Sequence, residues 1–310
     1  MLAARQKFEG HTILAGFPPG AYGHVYKAEH ETTHAVVAIK ICNGGLPKSD
    51  VARFREENAI LQKLKTHENV IESFSDILVK KAQLYYLMEC ADCDLDEALA
   101  RRRLATTDEK LKYFLGICEG IRHAHGKGIV HRDAHPGNVL FKMTNVVGIA
   151  KLADFGLAKD FTTGRRSPKA MALWGYDEIR APEIIFRIKD AEHLNDYKLA
   201  EIYSLGAILR YLFYPEFSYS VALKASIDSY RGRLGLTPGA YYALSEAERA
   251  QHYSEWLQSK DPKLESQLET PLPEVERGQA ITQIVQKMCH ADRSQRLGTV
   301  EEAINEVGKV

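Results

Sequence analysis

The sequence feature that most constrains the fold is a change in hydrophobic pattern near residue 89. Before it, runs rich in β-branched and aromatic residues are separated by short charged or glycine-containing turns, which is typical of antiparallel strands. One segment in this part, residues 50–65, instead carries apolar residues at helical spacing. Residues 67–71 have the composition of a further strand. After residue 89 helical spacing dominates, with short helices expected over residues 244–258. Capping-box patterns pair Thr106 with Glu109 and Thr299 with Glu302. The pattern predicts an α+β protein, in which an N-terminal antiparallel sheet with one helix precedes a mainly α-helical part.

Composition limits which partners and which cellular compartment we expect for this protein. The chain has 310 residues, 45% of them hydrophobic, which is enough for one large core or two smaller ones. Lysine and arginine together number 41, and so do aspartate and glutamate. The chain therefore has no net charge that would attract nucleic acid or acidic membranes. We therefore expect neither as a partner. The sequence has no apolar run of roughly 18 residues and no secretory signal at its N-terminus, and we expect a cytoplasmic protein.

The five cysteines are too few and too scattered for a disulfide framework. Cys90 and Cys93 have the spacing of a metal-binding or redox pair. Because no second pair and no spaced histidine pair accompanies them, we expect reduced thiols rather than a zinc site.

A loop at residues 131–138 concentrates ionisable groups between a helical pattern and a short apolar run. It contains His131, Arg132, Asp133, His135 and Asn138. A purely structural connection has little use for so many polar side chains, whereas loops that carry out chemistry often hold them. This loop is the first candidate for the functional site.

A second candidate lies in the predicted sheet. Gly20 and Gly23 flank a turn between two strands, where backbone N–H groups can approach an anion without a Cβ in the way. Lys40 ends the next strand, and Glu57 falls inside the apolar stripe of the predicted helix. A carboxylate on a buried face needs a cation, and Lys40 is its predicted partner. The competing interpretation is an ordinary hairpin turn and a lysine that reaches out to solvent.

Six short motifs occur in the order in which protein kinases carry them. They are a glycine-rich loop (residues 20–25), a V-A-I-K strand end (37–40), a helix glutamate (57), an H-R-D loop with a following Asn (131–138), D-F-G (154–156) and A-P-E (181–183). On these motifs the chain resembles the protein kinase family over residues 13–307. The resemblance implies the bilobal protein kinase fold as a single domain over residues 1–310. The N-terminal lobe would take residues 1–88, the hinge 89–92 and the C-terminal lobe 93–310.

The resemblance also implies catalytic roles, with ATP and Mg²⁺ as cofactors and a Ser/Thr hydroxyl of a protein as acceptor. Lys40 would pair with the α- and β-phosphates and be held by Glu57. Asp154 and Asn138 would bind Mg²⁺, and Asp133 would orient the acceptor hydroxyl and take its proton.

Nucleotide-binding residues follow from the same resemblance. Backbone amides of the glycine-rich loop would cover the phosphates, apolar side chains would sandwich the adenine, and the hinge main chain would bind its edge. The residues implied are Gly20, Gly23, Val25, Ala38, Lys40, Met88, Glu89, Ala91 and Leu140. For the apolar members, core packing is the competing interpretation.

Several positions depart from the family pattern. Pro18 replaces the first loop glycine, and Glu201 replaces the aspartate that normally ties a buried helix to the H-R-D backbone. His135 stands where Ser/Thr kinases usually carry a lysine that reaches the γ-phosphate. The histidine predicts slower transfer, a pH-dependent rate or a different phosphate contact, and we count it among the catalytic candidates. The late Arg296 matches the arginine that pairs with Glu183 of A-P-E.

Two other functions stay open at this stage. H-x-D-x-H-x-G-N also resembles the motif of aminoglycoside- and choline-type kinases, although Arg132 and the intact D-F-G and A-P-E argue against them. The other is a pseudokinase that serves as a binding scaffold. The joint presence of the phosphate, metal and base residues argues against that function.

Residues 157–180 have little periodicity and resemble an activation segment. Arg132 beside Asp133 is typical of kinases regulated by phosphorylation there, including self-phosphorylation. The candidate acceptors are Thr162, Thr163, Ser167 and Tyr176, and the nearby cations are Lys159, Arg165, Arg166 and Lys169. A solvated basic loop is the alternative. Pro136 favours Ser/Thr over Tyr as the acceptor residue.

Overall fold

The computed structural model describes residues 2–20, 22–144, 148–163, 179–187, 194–215, 218–259, 264 and 277–310. Its N-terminal part is a six-stranded antiparallel sheet in the order β1-β2-β3-β4-β6-β5. The strands are β1 (Lys7–Phe8), β2 (His11–Gly16), β3 (Gly23–His30), β4 (Val36–Cys42), β5 (Leu78–Lys80) and β6 (Gln83–Glu89). Helix α1 (Lys48–Leu64) connects β4 to the segment before β5. The predicted sheet with one helix is confirmed.

The C-terminal part is mainly helical. Its helices are α2 (Leu95–Ala100), α3 (Thr107–Gly126), α4 (Pro182–Ile185), α5 (Leu194–Phe213), α6 (Ser218–Arg233), α7 (Pro238–Ala243), α8 (Glu246–Ser259), α9 (Gly278–Met288) and α10 (Val300–Val307). Two small sheets lie among them, formed by β7 (Cys93–Asp94), β9 (Val139–Met143) and β10 (Gly148–Leu152), and by β8 (Ile129–Val130) and β11 (Lys159–Asp160). This architecture is the bilobal protein kinase fold.

Strand alternation divides the apolar side chains of the sheet between two cores. Tyr86 belongs to the large core, which continues through α1, α3 and α5. Its neighbour Tyr85 belongs to a smaller cluster on the opposite face, with Phe8, Ile13 and Tyr26. Successive residues of a strand point to opposite faces, so one face of the sheet covers α1 while the other has its own core.

Helix α1 buries a stripe against the sheet, with Phe54, Leu61 and Leu64 nearly inaccessible. Glu57 is buried in the same stripe, where the helical spacing placed it. Its carboxylate is thereby carried into the junction between the sheet and the helical part.

The two predicted capping boxes have different outcomes. At the start of α3, Thr106 accepts from the Glu109 N–H while the Glu109 carboxylate accepts from the Thr106 N–H, as predicted. At α10, Thr299 accepts from the Glu302 N–H, but the Glu302 carboxylate accepts from Gly298 instead. The second box is therefore wrong in its reciprocal half.

Other expectations need correction. Residues 67–71 do not form the expected strand, since this segment meets β10 only at one bridge, from Val70 to Leu152, and then turns away. Helix α6 was not predicted, although Leu223, Ile227 and Tyr230 have helical spacing and are buried. Residues 244–258, where several short helices were expected, instead contain the single helix α8.

Two further observations concern membrane-spanning helices and the cysteines. Within the described ranges, no helix is long and apolar enough to cross a membrane. All five cysteines are free thiols, including Cys90 and Cys93.

Candidate active site

Lys40, Glu57 and Asp154 meet where β4, α1 and the segment after β10 converge. Lys40 Nζ lies 2.6 Å from Glu57 Oε1 and 3.3 Å from Asp154 Oδ1. Lys40 and Glu57 are only 6% and 2% exposed, so each charge depends on its partner. Burial alone would lower the pKa of Lys40, but the two carboxylates hold it above its ordinary value. The result is a fixed cation beside Asp154, and Glu57 has the partner that its position in the helix predicted.

Asp133 and Asn138 are joined within the polar loop. The Asn138 Nδ2 group donates to the Asp133 carbonyl at 3.0 Å and to its Oδ2 at 3.1 Å. Asn138 ends a short 3₁₀ turn, Pro136–Asn138, which sets the orientation of its amide. Burial, and then the charge of Asp154, raise the pKa of Asp133 to about 7. A carboxylate with this pKa is suited to accepting a proton near neutral pH.

His131 joins the polar loop to the D-F-G segment. Its Nδ1 accepts from the Asp133 N–H at 3.3 Å, and its Nε2–H donates to the Ala153 carbonyl at 3.0 Å. The ring packs on Phe155, with 4.5 Å between centroids. Burial lowers the pKa of His131, in agreement with a neutral ring that both donates and accepts. His131 is therefore a scaffold for Asp133 and not a proton carrier.

Asp154 adopts the left-handed region, with φ of 57°, which is strained for a residue with a Cβ. Its Oδ1 accepts from the Gly156 N–H at 3.3 Å. Burial opposes ionisation, but Lys40 and the Gly156 N–H hold the pKa of Asp154 below its ordinary value. The strained backbone thus presents a carboxylate to the cleft.

Glu201 ties helix α5 to the polar loop. Its Oε1 accepts from the Arg132 N–H at 2.8 Å, and its Oε2 accepts from His125 Nε2 at 2.6 Å. The longer carboxylate therefore makes the backbone contact expected of the usual aspartate. It also reaches the His125 side chain on α3. Arg132 has φ of 66°, and the hydrogen bond from its N–H to Glu201 helps to hold this unfavourable conformation.

His135 serves as the cap of the 3₁₀ turn. Its Nδ1 accepts from the Gly137 N–H at 3.2 Å, so the neutral ring carries its proton on Nε2. That nitrogen lies 3.8 Å from Asp133 Oδ2. Burial lowers the pKa of His135 to about 4, so the ring is neutral near pH 7. A neutral donor beside Asp133 differs from the charged lysine usual at this position.

Replacing His135 tests how much the hydrogen bond from the Gly137 N–H contributes to stability. His135→Ala removes the acceptor for Gly137 and is expected to lower the free energy of unfolding by about 1 kcal/mol, a typical value for a lost cap. His135→Asn keeps a side-chain oxygen that can accept from Gly137, so its loss should be smaller. Urea unfolding of the two variants measures the difference. Equal losses would show that the contact to Gly137 contributes nothing.

A cavity of about 250 Å³ lies between the glycine-rich turn and the polar loop. Lys40, Asp133 and Asp154 all face it, and its other lining residues are Pro18, Gly20, Tyr22, Gly23, Val25, Gly156 and Leu157. The Gly20 N–H donates to the Gly23 carbonyl at 3.1 Å, which closes the turn over the cavity. A Cβ added at Gly23 would lie 2.8 Å from the Ile41 carbonyl oxygen, so the close approach of β3 and β4 requires glycine there.

The remaining predicted nucleotide-binding residues lie on neighbouring strands. Ala38 and Met88 are cross-strand partners of β4 and β6, and Leu140 belongs to β9. Glu89 is the last residue of β6, and Ala91 lies two residues beyond the end of the strand. The Glu89 N–H donates to the Glu72 carbonyl at 2.8 Å.

The Glu89 carboxylate is bound to the helical part. It lies 2.5 Å from Lys142 Nζ and 2.8 Å from Lys151 Nζ. Burial opposes ionisation, but the two lysines hold the pKa of Glu89 below its ordinary value. These ion pairs fasten the end of β6 to the β9–β10 hairpin.

Of the predicted activation segment, the structure describes residues 157–163 and 179–180. The Thr162 hydroxyl donates to Asp160 Oδ1 at 2.7 Å and accepts from Lys63 Nζ at 2.7 Å, and Thr163 donates to the Asp160 carbonyl at 3.1 Å. Arg132 Nε donates to the Leu157 carbonyl at 2.6 Å. Ser167, Tyr176, Arg165, Arg166 and Lys169 lie outside the described residues.

Sequence reasoning missed two tyrosines of the site. Arg53, one turn before Glu57, donates from Nη1 to the Tyr22 hydroxyl at 2.6 Å and so links α1 to the glycine-rich turn. The Tyr86 hydroxyl donates to Glu57 Oε1 at 2.9 Å. The four-residue spacing of Arg53 and Glu57 places both on one helix face and could have indicated the first contact. A tyrosine inside an otherwise apolar strand was the signal for the second.

The side chains around the cavity suit a magnesium nucleotide. Asp154 lines the cavity and Asn138 is hydrogen-bonded to the lining Asp133. They offer a carboxylate and an amide, the oxygen ligands that Mg²⁺ prefers. Lys40 is a buried cation for phosphate oxygens, and the glycine-rich turn brings backbone close to the cavity. The arrangement can therefore hold phosphates between a lysine, a turn and two oxygen ligands, with Asp133 at their edge.

Curated proteins similar to this chain are protein kinases. It is 32% identical over 189 residues to cell division control protein 2 homolog 3 of Trypanosoma brucei brucei, covering 58% of this chain and 57% of that protein. It is 32% identical over 206 residues to cyclin-dependent kinase 7 of Dictyostelium discoideum, covering 64% of this chain and 53% of that protein. A third relative is cyclin-dependent kinase D-1 of Arabidopsis thaliana, 35% identical over 174 residues, covering 55% of this chain and 42% of that protein.

The matched regions thus cover about half the length of these relatives. A family model described as the protein kinase domain matches residues 18–307, which is nearly the whole chain. That match spans both the sheet with Lys40 and the helical part with Asp133 and Asp154. The chain belongs to the protein kinase domain family.

Proposed function

We propose that this protein is an ATP- and Mg²⁺-dependent kinase that transfers the γ-phosphate to Ser or Thr hydroxyls of protein substrates. The observation that carries the proposal is the convergence of Lys40, Asp133 and Asp154 on one cavity. These are the three charges that phosphoryl transfer requires, a phosphate-binding cation, a metal-binding carboxylate and a base. The similarity to kinases that act on proteins supports a protein as the acceptor.

In this mechanism each side chain has a defined task. Lys40, held by Glu57, binds phosphate oxygens. Asp154 and Asn138 would hold Mg²⁺, which would neutralise phosphate charge. Asp133 accepts a hydrogen bond from the acceptor hydroxyl and takes its proton as the phosphate is transferred. His131 and Glu201 keep the loop rigid, so little reorganisation is needed at the moment of reaction.

Domain organisation and regulation belong to the same proposal. We place the N-terminal lobe at residues 1–88, the hinge at 89–92 and the C-terminal lobe at 93–310, with the adenine bound between Val25, Ala38 and Leu140. We also propose that phosphorylation of the activation segment regulates activity through Arg132. Of the described acceptors, Thr162 is already bound to Asp160, whose charge would repel a phosphate.

Labelled ATP distinguishes the possible functions. With Mg²⁺ and a generic protein substrate, we expect label on Ser and Thr of protein, and its loss when the metal is chelated. Asp154→Asn should lower the rate at least about 100-fold, because metal-held phosphate charge contributes several kcal/mol to transition-state stabilisation. Asp76→Asn, in an exposed loop, is the matched control and should retain the wild-type rate.

Other results would contradict the proposal. Label found only on an added aminoglycoside or choline would indicate a small-molecule kinase. Label on tyrosine alone would exclude the Ser/Thr assignment. An absence of transfer by wild-type protein at all nucleotide concentrations would indicate a binding protein without catalytic activity.

A further inference from the structure

Strand β6 carries a buried hydroxyl that contacts the glutamate of helix α1. Tyr86 is 0% exposed, and its hydroxyl donates to Glu57 Oε1 across 2.9 Å. In the sheet register Tyr86 lies directly opposite Lys40. Two neighbouring strands therefore present a hydroxyl and an ammonium to the same carboxylate oxygen.

The second oxygen of Glu57 shows that the orientation of its carboxylate depends on these two donors. Glu57 Oε2 is buried and, among the described residues, has no hydrogen-bond partner. The orientation of the carboxylate is consequently set at Oε1, by Lys40 and Tyr86. One flexible lysine defines a distance, whereas a second donor on a rigid aromatic ring also defines a direction.

The ring of Tyr86 makes its own contact with the helix. It packs against Phe54, with 5.4 Å between ring centroids. Phe54 and Glu57 are three residues apart and lie on the same face of α1. The phenol therefore contacts one helix face at two points, one apolar and one charged.

We propose that Tyr86 is a positioning residue whose hydroxyl holds Glu57 against Lys40 and thereby favours the position of helix α1 in which this ion pair forms. This inference rests on the proposed kinase function for its catalytic consequence, since Glu57 acts through Lys40. If α1 moved away, the Tyr86 hydroxyl would stay buried without its acceptor. Losing a buried hydrogen bond to a charged group would therefore shift the equilibrium between the two positions of α1 by about tenfold or more.

Other contacts hold the same helix from within the chain. Asn58 Nδ2 donates to Ser73 Oγ at 2.9 Å, and Lys63 Nζ lies 3.0 Å from Asp160 Oδ2. At the C-terminal end, the Leu64 carbonyl is 3.2 Å from His123 Nε2. Tyr86 instead acts on Glu57, whose carboxylate also contacts the catalytic lysine.

Tyr86→Phe tests the proposal in the full chain, because it removes one oxygen and leaves the packing. We expect the backbone amides of residues 54–61 to exchange hydrogen about tenfold faster than in wild-type protein. Tyr85→Phe is the matched control. It makes the same change one residue earlier, on the opposite face, where Tyr85 packs edge-on against Phe8, and should leave exchange in α1 unchanged.

A double-mutant cycle tests the route through Glu57. Tyr86→Phe should lower kcat/KM about tenfold in wild-type background and have little further effect in Glu57→Gln. Unchanged α1 exchange in Tyr86→Phe, or fully additive effects in the cycle, would overturn the proposal. If wild-type protein transferred no phosphate, the proposed function would fail, while the exchange comparison would still decide whether Tyr86 holds α1.

Discussion

Asp133→Asn is expected to lower kcat by about 10²–10⁴-fold, the usual contribution of a positioned general base. The amide can still accept a hydrogen bond, but it cannot take the proton of the acceptor hydroxyl. Nucleotide affinity should change little, since Lys40 and Asp154 hold the phosphates and metal in the proposed mechanism. A stopped-time assay with saturating ATP measures kcat, and titration with a fluorescent nucleotide measures the dissociation constant.

The stability of the same variant gives an independent test of the charge arrangement. Burial and the charge of Asp154 raise the pKa of Asp133 to about 7, so the ionised form is disfavoured in the folded protein. Removing one of two like charges should leave the variant as stable as wild type or more stable. A kcat within threefold of wild type in a folded variant would remove Asp133 from the mechanism.

Arg296→Met is expected to destabilise the protein by about 3–5 kcal/mol, the usual cost of leaving a buried charge without its partner. Arg296 Nη1 lies 2.5 Å from Glu183 Oε1, and Nη2 lies 2.7 Å from Oε2, so the pair is bidentate. Glu183 is 3% exposed and Arg296 7%. The variant would leave the buried Glu183 carboxylate without its cationic partner.

The combined variant Glu183→Gln with Arg296→Met shows whether the unpaired charge is the cause. It should be more stable than Arg296→Met alone, because no carboxylate remains to be compensated. Lys309→Met is the surface control, since Lys309 is 70% exposed in its pair with Glu306 and should contribute no more than about 1 kcal/mol. Urea unfolding compares all of these variants. Equal losses for Arg296→Met and the combined variant would refute the explanation.

The helical spacing of Glu57 predicted that it would need a cation, and the cation is Lys40. That prediction succeeded because a buried carboxylate needs a compensating cation, and Lys40 lies on the strand that directly precedes α1. The Glu201 contact to the Arg132 backbone was also expected, because the resemblance to protein kinases implies a carboxylate at this position that binds the H-R-D backbone.

Predictions failed where the neighbouring sequence does not indicate which residue a side chain or backbone group will contact. Residues 67–71 have strand-like composition but meet β10 at a single bridge, because their neighbours in space come from elsewhere in the chain. Glu302 could satisfy either of two backbone N–H groups, and loop geometry before α10 selected Gly298. The neutral state of His135 depends on its burial, which the sequence does not give.

The sequence by itself determined the fold class and the family, because hydrophobic periodicity and ordered motifs are local properties of the chain. It also identified the three charged residues that face the cavity, Lys40, Asp133 and Asp154. Only the tertiary structure decided how those residues are held: Tyr86 against Glu57, His135 as a cap and a neutral donor, and Glu89 bound to two lysines. These contacts join residues far apart in the chain, and their energies depend on burial, which exists only once the chain has folded.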